Sequence, residues 1–475
     1  MATVGERAAR RGLDGMLDRY FGYRERGSTL RTELVAGLTT FMTMAYILFV
    51  NPAILGAVAD PTGRKLPAGA LLTVTALVAA TATLAMGLYA NYPFALAAGL
   101  GLNGVVAFTF VAGQKLTWPQ AMGLIVLEGL VITVLVLTGL REAVLEAIPL
   151  ALKKAIGVGI GLFIAFIGFV DAGFVVHPAS NATPVTLATL NGLRIAVFVF
   201  GLLLTTALVA RRVRAALLLG ILLTTILAII VNAADGGNLW PPGVADLPKK
   251  LVGTPDFSLV GHFSLFGGFA TLGVLSAIVA VFAVMLSDFF DTMGTVIGLG
   301  DEAGLLDEQG RLPGVNRVLL VDSLAAAAGG AASASSNTSY IEAASGIAVG
   351  GRTGLTSVVV AALFALCLLL SPLAGVIPAE ATAPALILVG FYMLTLIRDI
   401  PWDDVDVALP AFLTIVLMPF TFSITNGVGA GFITYTILKL ARGRFREVHP
   451  LLLVVSVAFV LYFAIEPIKK LLGIA

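Results

Sequence analysis

Five carboxylates lie inside long apolar stretches: Glu128, Asp288, Asp291, Asp322 and Glu342. No lysine or arginine stands in mid-stretch to neutralise them. Ionisable groups in such surroundings are costly, so each points to a ligand, a proton or a dedicated hydrogen-bond network. Asp288 and Asp291, in SDFFDTMGT, stand three apart; on a helix they share a face, with Thr292 and Thr295 further along the same stripe. Two carboxylates that close and away from bulk water repel, and a bound proton relieves the repulsion. That is the chemistry a proton-coupled site needs. Glu342, in SSNTSYIEAASG, has no basic residue within nine positions and opens a short helix-like segment. Free N–H groups at such a helix start tolerate a carboxylate better than bare hydrocarbon does. Asn103 falls at the matching place about 238 residues earlier. An amide facing a carboxylate suits a flat ligand whose edge alternates N–H donors with ring nitrogens; ordinary interhelical bonding is the plainer role for the asparagine. Glu128 and Asp322 have plainer roles too. Glu128 suits a bond to a neighbouring helix backbone, and Asp322, five residues beyond Arg317, suits a structural pair.

These residues need elements that hold them inside oil. The chain of 475 residues is 58% hydrophobic and 12% charged, with mean hydropathy +1.00. Soluble domains carry roughly twice that share of charge, and runs long enough to cross a bilayer recur from end to end. The sequence predicts an all-α polytopic membrane protein whose surroundings are the lipid bilayer. An N-terminal segment, 1–32, rich in arginine (Arg7, Arg10, Arg11 and Arg24 among them), precedes seven apolar stretches in 33–233. A proline-bearing linker, 234–267, leads to seven more in 268–440, and 441–475 closes the chain. An odd number per half requires the second set to be inserted upside down relative to the first. Arginine clusters at the N-terminus, at 211–214, at Arg352 and at 442–446 fall on one side by this count, which makes that side cytoplasmic and the linker extracellular. The apolar segment 449–467 does not fit the count, because Lys469 and Lys470 follow it on the wrong side.

Two interruptions occupy corresponding places, NYPFALAAGLGLNG (91–104) and GGAASASSNTSYIE (329–342). Both are rich in small residues and lead into short helical segments. Irregular backbone at membrane depth is tolerated only against protein or a watery cavity, and a matched pair of interruptions points to a midplane substrate site. Small-residue helix packing is the alternative, but the second stretch carries many hydroxyls. Other signals carry no function. GLGLNG has no strand–helix context for dinucleotide binding, the Asn181 sequon is a chance match, and the three histidines sit at span edges. Cys367 is the single cysteine, so no disulfide or thiolate metal site is expected. A net charge of +1 argues against nucleic acid. No catalytic or metal constellation appears, so neither an enzyme nor a cofactor is expected beyond a coupling proton.

The segments GLTTFMTMAYILFVNPAIL (37–55), ALAAGLGLNG (95–104), DFFDTMGTVIG (288–298) and NTSYIEAASGIAVGGRTGLTSV (337–358) resemble those of the AzgA-like purine permeases. These form a branch of the nucleobase–cation symporter-2 superfamily. The resemblance runs from about residue 20 to 467. It implies a uracil-permease-like fold of about 14 spans in a 7+7 inverted repeat. The resemblance also implies interrupted spans 3 and 10 that pair as short strands, a core domain carrying the substrate, and a gate domain that often mediates a homodimer. It further implies import of guanine, hypoxanthine or adenine with protons. Substrate contacts carried over by motif are Glu342, Asp291, Asp288, Asn103, Ile341 and Thr43, with proton coupling at Asp288, Asp291 and Glu342. AASASS (331–336) departs from the family's pattern, where a glycine and a threonine are usual, and Gly104 stands where alanine is common. Both bear on the choice of purine. A same-fold carrier of sulfate-type anions would need a basic site, and an uncoupled channel or sensor would not need paired interruptions.

Overall fold

The computed structural model describes residues 13–139, 147–178, 183–308 and 311–471. Arg7, Arg10, Arg11 and Asn181 lie outside them, as do the side chains of Lys469 and Lys470. Among the described residues, nine helices are long and apolar enough to cross a membrane, from Leu30–Ala57 to Ala379–Asp399. Shorter apolar helices are Leu100–Gly113, Val405–Phe420 and Pro450–Ala464. Residues 450–467 of the last apolar stretch lie within one helix, Pro450–Leu471, packed on Ile424–Ala441 and Val274–Glu302.

The helices sort into two packing groups. The first holds Leu30–Met44, Ile47–Ala57, Ala68–Ala85, Trp118–Thr138, Val315–Ala331 and Gly354–Cys367, with the two interrupted segments between them. The second holds Leu150–Asp171, Leu193–Ala210, Ala216–Ala234, Ala379–Leu394, Val405–Phe420 and Ile424–Ala441. Val274–Glu302 touches both. Within the first group, Ala68–Ala85 packs on Gly354–Cys367 and Trp118–Thr138 on Val315–Ala331. Shifting each helix by about 240 residues turns one pair into the other.

Among the helices of the first group the backbone leaves the helix. Strand β1 (Leu96–Ala98) pairs antiparallel with β4 (Asn337–Ser339), Leu96 opposite Ser339. Two further short strands, β2 (Val175–Val176) and β3 (Thr186–Leu187), pair in the 172–192 loop. Backbone groups at membrane depth must find partners inside the protein, and here they do. Thr83 Oγ1 accepts from Leu96 N (2.9 Å) and donates to Leu96 O (3.1 Å). Asn51 Nδ2 donates to Thr75 Oγ1 and to Ala334 O. β1 runs into the short helix Leu100–Gly104, which widens into π-helical turns over Val105–Gly113. β4 runs into a 3₁₀ turn, Ile341–Ala343, and the short helix Ala344–Ala348.

Candidate functional site

The β4 segment hangs on Asp322. Its Oδ1 accepts from Ser339 N and from Ser339 Oγ, both at 2.8 Å, while Oδ2 accepts from Thr292 Oγ1 at 2.8 Å. Thr292 also shares a hydrogen bond of 2.6 Å with Thr338. This one carboxylate ties Val315–Ala331, β4 and Val274–Glu302 together. The pairing with Arg317 expected from spacing does not form; that guanidinium lies over the Tyr89 ring. Tyr340 OH donates to Ala98 O and clamps the far side of the strand pair.

Three residues beyond β4, Glu342 Oε1 accepts from Tyr46 OH at 2.6 Å. Ser345 Oγ donates to Glu342 O, and Thr43 Oγ1 lies 2.8 Å from Ser345 Oγ and 3.3 Å from Glu342 O. Thr43 thus braces the turn that carries the glutamate. Asp291 and Tyr392, the latter on Ala379–Leu394 of the second group, lie within electrostatic reach of Glu342. Asp291 is exposed and Glu342 half-buried. Ile341 is exposed beside them. Glu342, Asp291, Ile341 and Thr43 therefore gather in one region. Tyr46 and Tyr392 join it, and spacing alone did not single them out. The only available signal was a phenol inside otherwise apolar helices.

Asp288 parts from Asp291. It is 1% exposed and turned inward, where Ser336 Oγ donates to its Oδ2 at 3.0 Å. Asp288, Thr292 and Thr295 form the buried stripe, and Asp291 faces the accessible side. The carboxylate beside Asp288 is Glu128, fully buried on Trp118–Thr138. Neither Glu128 oxygen bonds a helix backbone, which corrects the expectation from sequence. Asn103 is fully buried in Leu100–Gly104, and neither its Nδ2 nor its Oδ1 has a partner. Among the described residues no group of three His, Cys, Asp or Glu side chains is placed to hold a metal ion.

A sequence profile for a permease family, that of the xanthine and uracil permeases, covers residues 31–430. The chain belongs to this family. The permease is 41% identical to the adenine permease AdeP of Escherichia coli K12 over 447 residues, 94% of this chain and 96% of that one. It is 38% identical to the guanine/hypoxanthine permease PbuG of Bacillus subtilis 168, again over 447 residues, 94% of this chain and 98% of that one. Among solved structures, the transmembrane domain of a cyanobacterial bicarbonate transporter, BicA, superposes with a TM-score of 0.60 at 14% identity, covering 85% of this chain and 97% of that domain. That likeness is one of fold. The permease is a multi-pass membrane protein of a transporter family, with the architecture shared by SLC26-type carriers.

Proposed function

We propose that this permease imports purine nucleobases, coupled to protons, by alternating access. One observation carries the reading. Glu342, held by Tyr46, is half-buried with the exposed Asp291 in reach, and among the described residues no basic side chain is bonded to either. Acceptor carboxylates without cations call for a ligand that brings N–H donors, as the edge of a purine does. Relatives named for adenine and for guanine/hypoxanthine support the same class. An anion carrier, despite the shared fold, would place positive groups here.

Glu342 and Asp291 bind the base, Asn103 offers its unpartnered amide to the ligand, and Thr43 and Ile341 shape the wall. Asp288, Asp291 and Glu342 couple protons to the cycle. The two packing groups rock about the site as core and gate, and the exchange of helix pairs on a shift of about 240 residues supports an inverted repeat. The N-terminus is cytoplasmic. Arg26 donates to Asn91 O and Arg352 O, and Tyr92 OH to Pro313 O, so the arginine-bearing ends gather on one side.

The test is uptake of labelled hypoxanthine and adenine into cells, each competed by unlabelled guanine, xanthine and the other base. Saturable uptake, abolished by a protonophore and lost in Glu342→Gln at normal membrane expression, is expected. Wild-type uptake by Glu342→Gln would remove the site assignment.

A further inference from the structure

We propose that Glu128 and Asp288 form a proton site in which one proton is shared between the two carboxyl groups, behind the wall where Asp291 and Glu342 meet the base. This deepens the proposed function and rests on it for the identity of the cargo. Glu128 is 0% and Asp288 1% exposed, on two helices that pack directly, Trp118–Thr138 and Val274–Glu302. Neither Glu128 oxygen nor Asp288 Oδ1 has a partner at full hydrogen-bond geometry, and the two carboxyl groups are neighbours with the Ser336 side chain beside both. The groups that face the pair are Ser336, whose hydroxyl holds Asp288 Oδ2, and Asp322, whose oxygens are already filled by Ser339 and Thr292. Among the described residues, the charged groups acting on the two carboxylates are each other and Asp322.

Two unpaired buried anions in contact are untenable, since neither desolvation nor repulsion is offset. A single proton changes both terms. The protonated group becomes a donor, the other accepts, and the net charge falls to minus one. The absence of a metal-competent cluster among the described residues favours a proton over a metal ion as occupant. The pair also has a short route to the base. Ser336 directly precedes β4, whose strand leads in three residues to Glu342, and Thr292 lies one helical turn from Asp288. Asp291, on the accessible face, stays free for substrate.

Infrared spectroscopy on the purified permease without nucleobase reads the pair directly. At neutral pH the wild type should show the C=O band of a protonated carboxylic acid, lost in Glu128→Gln, because the amide then donates to an ionised Asp288. Glu128→Asp should shift the band and serves if the glutamine variant is not recovered folded. A band unchanged in these variants, or none in the wild type, overturns the proposal whatever the cargo is. In proteoliposomes Glu128→Gln should bind adenine within about threefold of wild type and still exchange it, but lose at least about tenfold in accumulation driven by a pH gradient. Wild-type accumulation by that variant, or accumulation that follows a sodium gradient and ignores pH, also overturns it. A wild type that moves no purine removes the proposed cargo and leaves the infrared result to decide the proton pair.

Discussion

Glu342 shows what a single hydrogen bond does at this site. A carboxylate free to rotate is a poor template for a planar ligand, and the Tyr46 hydroxyl removes that freedom. A charge-assisted bond of this kind contributes about 1.5–3 kcal/mol. Tyr46→Phe should therefore raise the half-saturating concentration for adenine by roughly tenfold or more, with normal expression. An unchanged value would show that the tyrosine does not orient the glutamate. A second residue-scale prediction concerns the turn before β4. Ser333 and Ser335 adopt φ of 60° and 67°, in the left-handed region that costs a non-glycine residue about 1–2 kcal/mol. Ser335 also buries a hydroxyl with no partner. Ser335→Gly should raise the melting temperature in detergent, as thermal unfolding followed by tryptophan fluorescence will show. The departure of AASASS from its family's pattern is thus legible as local strain once the dihedrals are known.

At the scale of elements, two buried acids act as caps. Glu33, fully buried on Leu30–Met44, accepts from Arg352 N, from Thr353 N and Oγ1, and from Thr356 N and Oγ1, closing the start of Gly354–Cys367. Glu33→Ala leaves those donors unfilled and should cost about 1–3 kcal/mol or more, read as a lower melting temperature. Asp60, in the loop after Ile47–Ala57, behaves differently with pH. Burial pushes its carboxyl up, but Thr62, Arg64 N and Trp118 N donate to it and hold it below the usual aspartate value. The folded state then binds the proton less readily than the unfolded chain. Its contribution is present above about pH 3.9 and is lost as pH falls below that. Asp60→Asn should be less stable than wild type near neutral pH, and the difference should close below about pH 4. A gap that persists in acid would point to packing rather than charge.

The proposed alternating access requires the two helix groups to move against each other. They meet where Leu100–Gly104 crosses Leu150–Asp171, and a Cβ on Gly101 would lie 2.6 Å from Ile160 Cγ2. A cysteine pair at Gly101 and Ile160 joins the groups covalently when oxidised. Uptake should stop on oxidation and return with reductant; undiminished uptake by the cross-linked protein would rule out rocking at this contact. Within the second group the approach is tighter. Gly161 and Gly390 face each other so closely that a Cβ on Gly390 would sit 2.4 Å from Gly161 O. That close approach favours motion of the group as one body.

Composition and hydropathy alone determined the membrane class, because transfer of a helix into hydrocarbon depends on its own side chains and little else. The sequence also singled out the two interruptions and the acids, since irregular backbone and ionisable groups stand out against oil. It did not separate Asp288, which lies in the buried stripe, from Asp291, which faces the accessible side, although spacing gives them one helix face. Nor did it join Glu128 to Asp288 or Tyr46 to Glu342, partners 160 and 296 residues apart. Those pairings depend on which helices cross and at what depth. Only the tertiary structure decided which carboxylates meet a donor, which meet each other and which stay exposed, because the energy of a buried charge is set by its nearest few neighbours in space.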